Sequence, residues 1–140
     1  MRALCAGLFL ALSLSAYAAS DNSQKVAGEV GLCQLMNDFG AYEGTVVTFE
    51  ALLAAGAHPD DMVLSDQHCP KRHIFLSVDK SFREDEVFMS TLKYIYPDYP
   101  DRDTATDNNV RVKVTGKLVS LINRNLSMAY LELQRLSPMR

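Results

Sequence analysis

Four residues could together hold a metal ion: Cys33, His68, Cys69 and His73. Two thiolates and two imidazoles suit tetrahedral zinc. Their spacing argues against it. Structural zinc sites draw ligands from close pairs, and Cys33 has no such neighbour. His68 and Cys69 are adjacent, so their side chains diverge on extended chain. The competing chemistry for Cys33 and Cys69 is a disulfide, favoured if the chain meets an oxidising compartment. Closing the loop between residues 33 and 69 would contribute roughly 4 kcal/mol in the chain-entropy picture.

Other constellations carry less. Asp101, Asp103 and Asp107 fall at the first, third and seventh places of a calcium-loop count. The fifth place is Ala105 and the twelfth is Val112, where a loop of that kind needs oxygen ligands. A solvated acidic loop accounts for them. The run Glu84, Asp85, Glu86 belongs in a first helical turn, where the helix dipole favours acids. No Gly-x-Ser-x-Gly motif is present, and a nucleophile needs an identifiable base and oxyanion donors. An enzyme is therefore not expected. No cofactor and no metal is expected either. Arg111, Lys113 and Lys117 form a basic stripe that could meet an anion, or could pair across strands with Glu132.

The ends of the chain set its compartment. Arg2 is followed by a charge-free apolar run from Ala3 to Leu14 and by the small residues Ser15, Ala16, Ala18 and Ala19. That is the form of a secretory signal over residues 1–19, cleaved after Ala18 or Ala19. It is shorter than the roughly 20 apolar residues of a membrane span. Cys5 leaves with it. What remains is about 120 residues, enough for one domain. The 140-residue chain is 48% hydrophobic and 22% charged, ordinary for a folded domain. Its formal net charge of −3 argues against nonspecific nucleic-acid binding, which rests on lysines and arginines. A periplasmic or secreted location is expected, with no membrane span after cleavage.

Hydrophobic periodicity supplies the elements. Residues 20–29 are polar and small, an unstructured leader before a domain at residues 30–140. Val30 to Phe39 has helical spacing, with Gly40 as its stop. Ala41, Tyr42, Glu43 and Gly44 form a turn, Gly44 being able to take a positive φ. Thr45 to Leu53 is a strand with Val47, Phe49, Ala51 and Leu53 on one face. Met62 to Leu64 is a short strand, and His73 to Val78 another. Ser81 and Glu84 have the spacing of a capping box. The helix it would open runs to about Tyr96, with Val87, Phe88, Thr91, Leu92 and Ile95 as its buried stripe, and Pro97 stops it. Val110 to Val119 alternates cleanly, with Gly116 at a bulge or bend. Asn123 to Asn125 is a hairpin loop, and Met128 to Leu136 is the last strand, with Ala129, Leu131 and Leu133 inward. Five short strands, with one helix leading and one between the third and fourth, predict a mainly β, OB-fold-like Greek-key barrel.

The chain resembles small exported bacterial OB-fold proteins of unassigned function. The resemblance rests on Leu32-Cys33, then Tyr42-Glu43-Gly44 with Val46-Val47, then Cys69-Pro70, then Val112-Lys113-Val114-Thr115-Gly116. It spans nearly all of the chain after the signal. It departs from the pattern at Ala51, where such proteins usually carry glycine. What it implies is a barrel and a Cys33–Cys69 bridge, and no activity. The expected role is a noncatalytic binding or interaction module for a protein or small ligand. The fold's usual ligand surface would use Ala57, His58 and Asp60 in one loop and Asn123, Arg124 and Asn125 in another, with Arg111, Lys113 and Tyr130 nearby. The alternatives are a small metal-dependent or hydrolytic enzyme using His58, His68 or His73, and an oligonucleotide- or oligosaccharide-binding barrel.

Overall fold

The computed structural model describes residues 26–56, 58–102, 104–123 and 126–139, apart from the side chains of residues 122, 123, 126 and 127. The expected signal, Ala57, Asp103, Arg124, Asn125 and the side chain of Asn123 therefore lie outside the described residues.

Alternation along three long strands builds the wall. The first of these, β2 (Val46–Ala54), buries Val47, Phe49, Ala51 and Leu53 and turns Thr48, Glu50 and Leu52 outward. Strand β5 (Val110–Asn123) buries Val112, Val114 and Leu118. Strand β6 (Leu126–Pro138) buries Leu131, Leu133 and Leu136. Two short strands, β3 (Val63–Ser65) and β4 (His73–Ser77), complete it, with Leu64, Ile74 and Leu76 buried. The strands neighbour one another in the order β2-β3-β4-β6-β5, and β5 pairs back onto β2. The barrel is closed, with only β4 and β6 parallel among the five. This is the expected mainly β, OB-fold-like barrel with few helices. Closure removes the open edges that a flat sheet would present.

Gly116 marks a close approach. A Cβ there would lie 2.5 Å from the Glu132 carbonyl oxygen and 2.7 Å from Leu131 Cγ. The pairing of β5 and β6 shifts at this level: Thr115 faces Arg135 while Gly116 faces Leu133, so Gln134 is the extra residue. The bulge lies on β6, opposite the glycine. It lets both Leu133 and Leu136 face inward although they are an odd number of residues apart.

Helix α3 lies between β4 and β5 (Glu86–Ile95) and packs Phe88, Thr91, Leu92 and Ile95 into the core. Val87, expected in that stripe, is 45% exposed. The capping box does not form. Residues Lys80–Glu84 make a separate 3-10 turn, begun by Asp79, whose carboxylate accepts from the Ser81 amide. Asp85 caps α3 instead, accepting from the Phe88 amide at 2.7 Å. An Asp side chain is as good an N-cap as Ser, and it sits nearer the apolar stripe.

Tyr96, directly after α3, is fully buried. Its hydroxyl takes the Gly56 amide at 3.1 Å and points to the carbonyls of His58 at 3.1 Å and Gly56 at 3.3 Å. One phenol thus anchors the loop between β2 and β3 to the helix. Tyr96→Phe should lower stability by about 1 kcal/mol, since buried backbone groups lose a partner. Urea unfolding would measure it, and the Gly56 amide should exchange faster. Unchanged unfolding would remove the anchor from this account.

The N-terminal part departs most from expectation. Val26–Glu29, assigned to an unstructured leader, forms strand β1 and pairs in parallel with β2. Its composition is poor for a strand, but pairing to an existing strand outweighs propensity. The single expected helix is two short ones, α1 (Leu32–Asn37) and α2 (Phe39–Tyr42), broken at Asp38. Gly40, expected as a stop, lies inside α2. The α1 leucines Leu32 and Leu35 are fully buried in the barrel core. Of the expected turn, Ala41 and Tyr42 belong to α2, and Glu43 and Gly44 form the turn, with Gly44 at φ 77°. Among the described residues, no helix is long and apolar enough to cross a membrane.

Candidate functional site

The wall has a gap beside β2, and the pairing shows where it is. On one side of β2, β1 pairs with Val46 and Thr48, and the Val30 amide donates to the Thr48 carbonyl at 3.1 Å. Strand β3 joins that same side only from Leu52, opposite Ser65. Between them, Phe49, Glu50 and Ala51 have no strand beside them on that side.

Strand alternation decides which backbone groups face the gap. The Leu118 amide donates to the Thr45 carbonyl at 2.9 Å, so odd-numbered residues of β2 address β5. Even-numbered ones address the other side, as the Thr48 carbonyl does. The Glu50 N–H and C=O therefore point into the gap, and no described backbone group pairs with them.

A cleft of about 470 Å³ opens there. One bank is Glu29, Val30, Gly31 and Gln34; the other is Ser65, Asp66, Gln67 and His68. Glu50, Ala51 and Leu52 form the floor, and Arg111 of β5 closes one end. Its volume falls within the roughly 300–1,000 Å³ of small-ligand clefts.

Both banks diverge from the barrel and are tied together beyond the gap. Cys33 on α1 and Cys69 in the turn after β3 form a disulfide, with Cα atoms 5.8 Å apart. Arg72 adds a second tie, donating to the Met36 carbonyl at 2.9 Å and to Asn37 Oδ1 at 2.6 Å. The cysteines are thus spent on each other, and their thiolates are not available to a metal. Among the described residues, no group of three or more His, Cys, Asp and Glu could hold one.

The charges at the cleft are mostly engaged. Asp66 accepts from the His68 amide at 2.7 Å and lies 2.7 Å from the His68 ring Nδ1. The His68 backbone N–H is the main cause that holds the Asp66 pKa below its ordinary value. That contribution to stability is in place at neutral pH and is lost as pH falls through the lowered pKa. Lys113 contacts Glu29 at 2.5 Å, which raises the lysine pKa. Among the described residues Arg111 has no hydrogen-bonded partner for its guanidinium; it acts on Asp66 through longer-range attraction.

The expected ligand surface is divided by the structure. Arg111 lies at the cleft, and Lys113 beside it is paired with Glu29, a residue assigned to the leader. Lys113 stands opposite Glu50 on β2 and Ser137 on β6, and it is Lys117 that stands opposite Glu132. His58 and Asp60 belong to the loop held by Tyr96, on which Asp60 meets Arg83 at 3.8 Å. Tyr130 lies elsewhere, on the outer face of β6. It stacks on Phe75 of β4 at 5.4 Å, and His73 meets Phe75 edge-on at 5.1 Å. The positions of Ala57, Asn123, Arg124 and Asn125 on this surface are outside what is described. Glu50 and the β1 residues had no signal in sequence, because only the strand pairing makes them a site. The Phe75–Tyr130 contact could have been sought in the outward positions of the two strands.

No protein-family model and no curated protein matches this chain.

Proposed function

We propose that this chain is a noncatalytic, exported binding module, and that its ligand sits in the cleft over Glu50. The observation that carries the reading is the gap beside Glu50 in the barrel wall, with its two banks held by the Cys33–Cys69 bridge. A fixed, half-apolar cleft with few convergent polar groups is what small-ligand recognition uses. Export is supported by the signal-like N-terminus, and a disulfide belongs with an oxidising compartment. The likeness to small exported bacterial OB-fold proteins agrees with both and adds no ligand.

Amide-shift mapping of the signal-free protein, starting at Ser20, tests the binding claim. The probes are three pools: short peptides, neutral oligosaccharides and single-stranded oligonucleotides. One pool should shift the Gly31, Gln67 and His68 amides saturably, and the probe should be recovered unchanged. No cleft shifts with any pool would end the reading, and chemical turnover of a probe would replace it with an enzyme.

A second reading has its own observation. The His73, Phe75 and Tyr130 rings on the β4–β6 face could stack a sugar or a base, and stacking of a base is worth roughly 1–3 kcal/mol. In that case the shifts fall on Phe75 and Tyr130. For an oligonucleotide they should also weaken steeply with salt.

A further inference from the structure

We propose that the cleft takes a short extended peptide with a free C-terminus, laid beside β2 in the space between β1 and β3; this rests on the binding-module reading above. The Glu50 N–H and C=O are an adjacent donor and acceptor pointing the same way from a strand. The natural complement is another extended backbone, which offers an acceptor and a donor at the matching spacing.

Geometry limits the length. The unpaired stretch is Phe49 to Ala51, about 10 Å of strand at roughly 3.3 Å per residue. Beyond it β1 and β3 occupy the side of β2. A peptide of about three residues fills the space, and longer ones must leave the wall at either end.

Charge sets the direction. Arg111 stands opposite Leu52, at the β3 end of the cleft, and among the described residues its guanidinium has no hydrogen-bonded partner. A planar guanidinium receives a carboxylate through two parallel hydrogen bonds. Asp66 shares that end, but its Oδ1 is already engaged by the His68 amide and ring. Towards the other end Glu29 is paired with Lys113, and the Glu50 carboxylate beside that pair leaves one net negative charge, which favours an amino terminus. The peptide then runs from the Glu29 end to the Arg111 end. That is parallel to β2, and it continues the direction that β1 already has beside β2.

The test uses the signal-free protein and three tripeptide pools, each randomised at all three positions. One has free termini, one has amidated C-termini, and one has an N-methyl group on the third residue, whose N–H is the one a parallel partner gives to the Glu50 carbonyl. The free pool should shift the Glu50 and Gly31 amides and slow exchange at the Glu50 amide at least tenfold. Amidation should weaken binding about tenfold or more in the native protein and make no difference in Arg111→Gln. That substitution removes an exposed charge and no hydrogen bond, so the fold is retained. N-methylation should weaken binding by a similar factor in both proteins. Equal binding of acid and amide pools overturns the carboxylate contact, and equal binding of the N-methyl pool overturns the backbone pairing. Cleft shifts with oligosaccharide or oligonucleotide but not with peptide overturn this proposal and leave the binding module standing. No cleft shifts with any probe overturn both.

Discussion

Cys33→Ala is expected to lower the melting temperature by on the order of 10–20 °C, the largest single effect on stability argued from this fold. The bridge joins residues 36 apart. Constraining a loop of that size in the unfolded chain is worth about 4 kcal/mol. The native state loses little else, because Arg72 still binds the end of α1. Cys69→Ala alone should give a similar drop, and the double variant should be hardly worse than either. That pattern follows from one shared bond, and calorimetry of all four proteins checks it. Strictly additive losses would mean that the two side chains act separately. Because the bridge holds the banks of the cleft, either variant should also blunt the amide shifts at Gly31 and His68 produced by a cleft ligand.

The second large effect is expected at Gly116. Gly116→Ala should cost about 1–3 kcal/mol and Gly116→Val about 3 kcal/mol, read from the urea midpoint. The new Cβ meets a backbone carbonyl at 2.5 Å, which cannot move without disturbing the β5–β6 pairing. Leu131 Cγ at 2.7 Å belongs to a fully buried side chain in a packed core, so it has nowhere to retreat. A stable Gly116→Val protein would show that the two strands stand farther apart than this account requires.

The barrel was legible in the sequence because its strands carry their own signal. Val47, Phe49, Ala51 and Leu53 alternate, as do Val112 and Val114, and burial follows that alternation directly. The helix after the third strand was legible for the same reason, through Phe88, Leu92 and Ile95. What could not be read depends on partners distant in the chain. Strand β1 has no apolar alternation worth the name; it is a strand because β2 lies beside it and Lys113 meets Glu29. The break at Asp38 within the expected first helix has no glycine or proline to announce it. Tyr96 looked like the end of a helix and proves to be the anchor of a loop 38 residues away at His58. The cleft was the least legible of all. Arg111 stands out in the sequence by its charge, but Glu50 matters through its main chain, whose orientation depends on register with three other strands.

The closure of the wall also orders events in time. The last strand is needed twice, beside β4 and beside β5, and the β4–β6 pair joins Phe75 to Tyr130. As the chain is made from its N-terminus, everything up to Asn123 can exist without the barrel being shut. Until residues 126–138 arrive, β4 and β5 each present a bare edge. The bridge from Cys33 to Cys69 lies wholly in the earlier half, so it can be in place before the wall is complete. A chain cut short before Leu126 would therefore keep its staple and lose its solubility, joining neighbours through the two strands left without a mate.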